Sequence, residues 1–221
     1  MLETLTGLGL ASAAGLNAYI PMLVLGLLDR FTGLVDLPGG WGWLGNEWVL
    51  IIVGVLAVVE IVADKVPVVD SINDAIQTVI RPTAGGIVFG AGTSAHTATV
   101  TDPAEFFTSN AWIPVAIGIA IALVTHLTKS TTRAAATAVA AGTASPALST
   151  GEDAVSIGLS VAAIFAPVLV IVLLLVGGLL MWSVVRSLHR RRRAMQDRRA
   201  ERRAGGGAAS PSDGAEPPAD S

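Results

Sequence analysis

Apolar residues fill six stretches of this chain, and short polar segments separate them. A helix that crosses a membrane needs about 20 mostly apolar residues, so each stretch is a candidate span. The second and fourth are strongly apolar, whereas the third and fifth are weaker and rich in small residues. The stretches are Leu5–Leu28, Trp48–Ala63, Pro82–Val100, Trp112–Leu127, Ala134–Leu148 and Ala154–Val185. The pattern therefore predicts an all-α membrane protein with about six transmembrane helices.

Three residues interrupt these stretches. Asn17 and Pro21 lie within the first stretch, which we nevertheless predict to cross as one span because its apolar residues continue to Leu28. Pro167 lies within the last stretch. Since proline removes a helix hydrogen bond, we expect a kink there.

A shorter segment between the second and third spans has helical amphipathic spacing. Its apolar face holds Val68, Val69, Ile72, Ile76, Val79 and Ile80, and its polar face holds Asp70, Asn73, Asp74, Gln77 and Arg81. At about 13 residues it is too short to cross, so we expect one interfacial or re-entrant helix bracketed by Pro67 and Pro82. Two interpretations stay open: a connector with a wet polar face, or a gate or binding surface.

The distribution of Lys and Arg predicts the orientation in the membrane. Of the 14 such residues, nine fall in Arg186–Arg203, which we therefore place in the cytoplasm. Alternation through six spans then puts both termini, Lys65–Arg81 and Lys129–Arg133 on the cytoplasmic side. The same alternation puts the acidic pair Glu152-Asp153 outside, and Arg30 alone lies on the unfavoured side. The expected location is the bacterial inner membrane.

Composition divides the chain into three parts. Residues 1–185 form the predicted transmembrane domain, residues 186–204 a basic cytoplasmic juxtamembrane segment, and residues 205–221 a disordered tail of Gly, Ala, Ser, Pro and acid. A basic segment directly after a span attracts anionic lipid headgroups, so membrane lipids are the expected partners of Arg186–Arg203. Nucleic acid is not expected, because no recognition fold surrounds the segment. Whether the chain forms a homo-oligomer is left open.

Three residues of the same type recur at the same distance along the chain in a later part of the sequence. Trp48, Gly54 and Lys65 match Trp112, Gly118 and Lys129. Each strong span is followed by a basic turn and a weaker span, and both pairs run in the same direction. The offset indicates either a parallel internal repeat or a coincidence of apolar sequence.

Cysteine is absent, which excludes disulfides, thiolate metal sites and a cysteine nucleophile. The chain contains no nucleophile elbow, Walker loop, dinucleotide fingerprint or zinc-ligand spacing. The two span histidines, His96 and His126, lie near opposite membrane faces, so they make a poor metal pair, and each is expected to be a hydrogen-bonded residue. We therefore expect no cofactor, and an enzyme is the less favoured class.

Charged residues concentrate near one predicted membrane face. Glu60 and Asp64 share a helix face, and Asp70 and Asp74 repeat that spacing. Three interpretations remain: the carboxylates hold a hard cation, relay protons, or form salt bridges with Lys and Arg at that face. We group the candidates as the inner-mouth cluster, a predicted binding site made of Asn17, Glu60, Asp64, Lys65, Asp70, Asp74 and Arg81.

Glu60 is the most informative member of the inner-mouth cluster. It lies about a turn inside the second span, where an unpaired charge is costly. The chain turns at Pro67 and returns at Pro82, so the ends of the second and third spans must lie near one face. Glu60 is therefore predicted to pair with Arg81 or Lys129.

Three segments carry a resemblance to a known family. They read AAGLNAYIP, ADKVPVVDSINDAIQTVIRPTAG, and the late small-residue segment that ends at Glu152-Asp153. They resemble an uncharacterised bacterial membrane-protein family, catalogued as domain of unknown function 4126, over roughly residues 5–175. The late segment is shortened here to TASPALST. The resemblance implies a membrane location and no established activity.

Three function hypotheses follow. In a small transporter or channel-like protein, the less apolar spans, which carry scattered polar residues, would form the centre and the inner-mouth cluster would form the opening. A non-transporting scaffold or assembly factor would have a solid core and present a surface patch or basic tail to partners. A membrane-embedded lipid-modifying enzyme would need a carboxylate and a histidine within hydrogen-bond reach.

Overall fold

The computed structural model describes residues 1–37, 39–93, 110, 112–140 and 145–179, together with 183, 186 and 190. Side chains are not described at 67, 68, 70, 71, 135–140 and 145. His96, the tail at 205–221 and nearly all of the basic segment therefore lie outside the described residues.

Every regular element among the described residues is a helix, which confirms the predicted all-α class. The helices are α1 Leu2–Leu16, α2 Tyr19–Thr32, a 3₁₀ turn at Gly42–Gly45, α3 Glu47–Ala63, α4 Pro67–Thr93, α5 Trp112–Ala140, α6 Ser145–Phe165 and α7 Pro167–Leu179. Two of them contain segments long and apolar enough to cross a membrane, Trp112–Ala134 and Pro146–Phe165. At Pro167, where the sequence predicted a kink within one span, the structure shows two helices: α6 ends two residues before Pro167 and α7 begins at it.

The first predicted span consists of two helices rather than one. The backbone of Asn17 is extended, and its Oδ1 accepts the N–H groups of Tyr19 and Ile20, which caps α2. The first N–H groups of a helix have no carbonyl partner within that helix. Because the Asn17 side chain accepts from those of α2, the chain can end α1 and begin α2 at Asn17.

Both helices leave Asn17 towards the same end of the bundle. In α1, Gly7 lies against Thr93 at the end of α4. In α2, Gly26 lies against Leu44, and the neighbouring Trp41 lies against Gly90 of α4. The amino terminus and the inner-mouth cluster therefore lie at opposite ends of α1, which corrects the expectation that both are cytoplasmic.

Glycines allow α1, α4 and α5 to approach closely. A Cβ at Gly85 would clash with Ala122 and lie 2.8 Å from the Gly118 oxygen, and one at Gly92 would lie 2.7 Å from Leu10. Small residues permit this backbone-to-backbone packing between helices. The three helices consequently form the tightly packed centre of the bundle.

Polarity is inverted relative to a water-soluble protein. Apolar side chains cover the exterior of α3, whose only buried residues are Val53, Ala57 and Glu60. Charged side chains instead lie inside: Arg81 is 0% exposed and Lys129 2%. Buried ionisable groups with an apolar exterior are expected where hydrocarbon replaces water as the surrounding solvent.

The amphipathic segment and the third span form one continuous helix, α4, which corrects the expected separate interfacial helix. Pro82 lies inside this helix. The apolar face is exposed, as at Ile72 and Val79, whereas Gln77 is buried with Arg81. The wet-connector interpretation is therefore wrong, because the described polar face turns into the bundle.

The predicted fifth span does not cross the bundle. Its first residues continue α5 to Ala140, and α6 begins at Ser145. Glu152 accepts a 2.6 Å hydrogen bond from Arg133, so both ends of the segment lie at one end of the bundle. The expectation that Glu152 and Asp153 lie outside, opposite Lys129–Arg133, is therefore wrong.

Candidate functional site

Charged, amide and imidazole side chains from four helices, α3 to α6, from the two residues after α3 and from the α1–α2 break meet at one end of the bundle. We call this group the charged network. Its described members are Asn17, Glu60, Asp64, Lys65, Asn73, Asp74, Arg81, His126, Lys129, Arg133, Glu152 and Asp153.

Arg81 is the centre of the charged network. Its Nε and Nη2 both donate to Oε1 of Glu60, at 3.1 and 2.9 Å. Two more carboxylate oxygens lie 3.5 Å from the guanidinium, on Asp64 and Asp74. Because a guanidinium keeps its charge, these carboxylates compensate a permanent buried cation. The predicted convergence of Glu60, Asp64, Asp74 and Arg81 is confirmed, and of the two predicted partners of Glu60 the structure shows Arg81.

The break between α1 and α2 presents two helix ends to the charged network. Lys129 Nζ donates to the carbonyl of Leu16, the last residue of α1, at 2.8 Å. The N–H of Ala18, just before α2, donates to Oε2 of Glu60 at 3.2 Å. A helix carries partial negative charge at its carboxyl end and partial positive charge at its amino end. The cation and the carboxylate therefore each lie at the helix end of opposite sign.

Asp64 links α3 to α5 and caps the end of α3. Its Oδ2 lies 3.0 Å from Lys129 Nζ, and its Oδ1 accepts a 2.7 Å hydrogen bond from Asn73. Burial raises the pKa of Asp64, but Lys129 and Arg81 outweigh burial and hold that pKa below its usual value. Asp64 is therefore an ionised partner for the cations around it.

His126 is a neutral, fully hydrogen-bonded member of the charged network. Its Nδ1 lies 2.9 Å from Nη1 of Arg81, and its Nε2 lies 3.1 Å from Oγ1 of Thr78. Guanidinium nitrogens only donate, so we assign Nδ1 as the acceptor and place the ring proton on Nε2. The expectation of a hydrogen-bonded histidine is confirmed for His126, whose two ring nitrogens face a cation and a hydroxyl rather than a carboxylate.

A second group of contacts joins α6 to the charged network. Asp153 accepts from Asn17 at 3.1 Å and pairs with Lys65 at 3.4 Å. Glu152 lies 3.1 Å from Lys129 and 2.6 Å from Arg133. These contacts bind the first turns of α6 to the α1–α2 break and to the end of α5.

Gln77 and Tyr19 lie beside Glu60 and Arg81. The Gln77 side chain is near the Tyr19 hydroxyl, and its buried Oε1 has no hydrogen-bond partner. Ser149 Oγ in α6 is likewise buried without a partner. Buried polar atoms normally find a partner, so these two acceptors mark places where the network has unused hydrogen-bonding capacity.

The sequence identified part of the charged network. Asn17, Glu60, Asp64, Lys65, Asp74 and Arg81 come together as expected, whereas the Asp70 side chain lies outside the described residues. His126, Glu152 and Asp153 were not predicted as site residues. A sequence pattern could have identified His126. Asp74, Gln77 and Arg81 have the spacing i, i+3, i+7, which places them on one helix face. The same spacing relates His126, Lys129 and Arg133.

Among the described residues, no group of three or more His, Asp or Glu side chains is arranged to hold a metal ion. Each carboxylate of the charged network instead faces at least one Lys or Arg. Paired carboxylates leave few free oxygens for a hard cation, which takes several oxygen ligands. Of the sequence interpretations, the arrangement therefore favours salt bridging over metal binding.

These features define a class: an all-α bundle with an apolar exterior, two helices apolar enough to cross a membrane, and a buried charged network at a broken helix. The chain belongs to the family described as "Domain of unknown function (DUF4126)", which matches residues 4–188. The resemblance noted from the sequence segments is thereby confirmed. No curated protein and no solved structure matches the chain significantly.

Proposed function

We propose that the chain is a multi-pass inner-membrane protein that acts as a small transporter or channel-like protein, with the charged network as its polar centre. The observation that carries the proposal is the broken helix. Leu16 C=O and Ala18 N–H, which flank the break, bind Lys129 and Glu60 inside the bundle. Helices interrupted within a bundle, with their ends directed at ions or charged groups, are typical binding sites of membrane transporters.

The inverted polarity supports the membrane part of the proposal. Exposed apolar residues cover α3 and α7, with Val58 61% and Leu179 68% exposed. Lipid tails tolerate such a surface, whereas water does not. Buried ionisable groups inside membrane proteins commonly mark ion or proton pathways, which supports the transport part.

Orientation can be tested with single cysteines, because the chain has none of its own. If the network end is cytoplasmic, the opposite end of α1 faces outward. A membrane-impermeant maleimide should then label Leu2→Cys in intact cells, but label Val66→Cys only after permeabilisation. Both positions are exposed, at 59% and 45%. A reporter fused after Arg203 should be active in its cytoplasmic form. Labelling of both cysteines from one side would contradict the proposed arrangement.

Transport can be tested in liposomes of phosphatidylethanolamine and phosphatidylglycerol. Purified protein on a solid-supported membrane should give a current after a jump in proton, sodium, potassium or chloride concentration, above the current of protein-free liposomes. Glu60→Gln should abolish that current, because it removes the carboxylate between the α2 end and Arg81.

The matched control for this measurement is Glu47→Gln. Glu47 lies on the same helix as Glu60, but at the opposite end, and its side chain is 68% exposed. The current should survive this change. If wild-type protein gives no current for any of the four ions, the proposal is wrong and a scaffold with a rigid ionic core becomes the better explanation.

A further inference from the structure

Glu60 joins two parts of the bundle, and its two oxygens serve different parts. Oε1 accepts from Arg81 of α4, and Oε2 accepts from Ala18 at the start of α2. The side chain is buried at 1% exposure. Resting on the proposed function, we infer that Glu60 is a proton-binding site. Its protonation weakens the link from α2 and α3 to Arg81, so that the α2–α3 pair tilts about the network end, where Asp64 stays bound to Lys129, and the coupled or conducted ion is the proton.

The α2–α3 pair is held together independently of Glu60. Gly26 packs against Leu44 and Leu50, and Arg30 pairs with Glu47 at 3.1 Å. These contacts lie at the end opposite the charged network. The pair can therefore tilt as a unit about the network end, where the break at Asn17 and the Asp64–Lys129 pair form the pivot. The tilt requires Trp41 to slide along Gly90 of α4, while glycine packing keeps α1, α4 and α5 together.

Arg81 has other partners available when Glu60 takes up a proton. Asp64 and Asp74 each present an oxygen 3.5 Å from the guanidinium, slightly beyond strong hydrogen-bond distance. A small shift of Arg81 makes both contacts short, and the low pKa of Asp64 keeps that carboxylate charged. Protonating Glu60 therefore does not leave a buried cation unpaired, which is the costly outcome for ion pairs in a bundle.

The charge balance favours one bound proton. Among described side chains, the network holds one more carboxylate than cations: Glu60, Asp64, Asp74, Glu152 and Asp153 face Lys65, Arg81, Lys129 and Arg133. An uncompensated charge inside a membrane is expensive. A proton on Glu60 removes the excess without breaking the Lys129–Asp64 pair. Of the other titratable groups, Tyr19 on α2 lies near Glu60, and His126 on α5 contacts Arg81.

Distances between spin labels test the tilt directly. The cysteine-free chain allows two double-cysteine variants in liposomes: Val58 with Val124, which joins α3 to α5, and Leu27 with Val58, which lies within the α2–α3 pair. All three side chains are more than 40% exposed. Between about pH 9 and about pH 5, a range that covers documented buried carboxyls, the first distance should shift by about 2 Å or more. The second distance should not change.

Three substitutions assign the shift to Glu60. Glu60→Gln should hold the low-pH distance at every pH, and Glu47→Gln should behave as wild type. Glu60→Asp keeps the charge but reaches less far, so its midpoint should move to higher pH. Glu60→Asp also tests the role of Glu60 if the Glu60→Gln variant does not fold. His126→Gln should retain the pH response.

The outcomes separate this inference from the proposed function. A wild-type α3–α5 distance that does not change with pH overturns the inference. So does a response that Glu60→Gln retains and His126→Gln loses, because the histidine then carries the proton. A Glu60-dependent shift without any ion current leaves the proton site intact and removes the transporter. A current without the shift supports the transporter and overturns the inferred proton site.

Discussion

Replacing Arg81 with Gln is expected to remove a large part of the protein's stability. The substitution leaves Glu60, which is fully buried, without its principal cation and weakens the pairing of Asp64 and Asp74. Breaking one partner of a buried pair costs about 3–5 kcal/mol, which is a large part of a typical free energy of unfolding of about 5–15 kcal/mol. Unfolding of the detergent-solubilised protein, followed by tryptophan fluorescence, measures the loss.

Two further variants show whether the loss of stability comes from leaving the Glu60 carboxylate buried without a cation. Arg30→Gln removes an arginine from an exposed pair with Glu47, and should cost no more than about 1 kcal/mol. Glu60→Gln combined with Arg81→Gln should be more stable than Arg81→Gln alone, because it removes the orphaned charge. Equal effects of the two arginine changes would contradict the ionic role assigned to Arg81.

Gly118→Ala is expected to destabilise the bundle strongly for its size. The added Cβ would clash with the Gly85 carbonyl and with Phe89 Cβ, and the carbonyl cannot move without shifting α4. Overpacking costs about 1–3 kcal/mol, and backbone contact places this change towards the upper end. The melting temperature of the solubilised protein measures it.

Gly158→Ala is the matched control, since a Cβ there meets nothing within 4 Å. It should be neutral or stabilising, because alanine is favoured over glycine in a helix by about 1 kcal/mol. If Gly118→Ala and Gly158→Ala melt alike, then α4 and α5 do not pack as closely as described.

The sequence predicted that Glu60 pairs with Arg81 or Lys129, because the proximity of these residues follows from chain reversal. Pro67 and Pro82 bracket a short segment, so the two span ends had to lie near one face, and buried charge then required a partner. The same reasoning could not predict the hydrogen bond from Asn17 to Asp153, which joins residues far apart in sequence. No periodicity or spacing relates those two side chains.

Hydropathy misled where weak stretches were counted as spans. Residues 134–148 are apolar enough on average, yet their small side chains suit a turn between packed helices equally well. That count put Glu152 on the wrong side of the bundle, and so hid its contact with Arg133. The break at Asn17 was visible as an interruption, but the continuing apolar residues outweighed it, because hydropathy does not record helix capping.

The short first helix has a consequence for how the protein responds to membrane voltage. With 15 residues, α1 is about 22 Å long, less than the roughly 30 Å of a bilayer's hydrocarbon core. Neighbouring helices enclose α1, so its length does not set the thickness of the bilayer around it. The charged network at its end instead lies along α5, at His126, Lys129 and Arg133, before that helix ends at Ala140. Voltage falls across the low-dielectric layer, and a full crossing of one charge is worth about 2.3 kcal/mol per 100 mV. Under the proposed function, a proton that reaches Glu60 crosses part of this field and is driven by voltage as well as by pH.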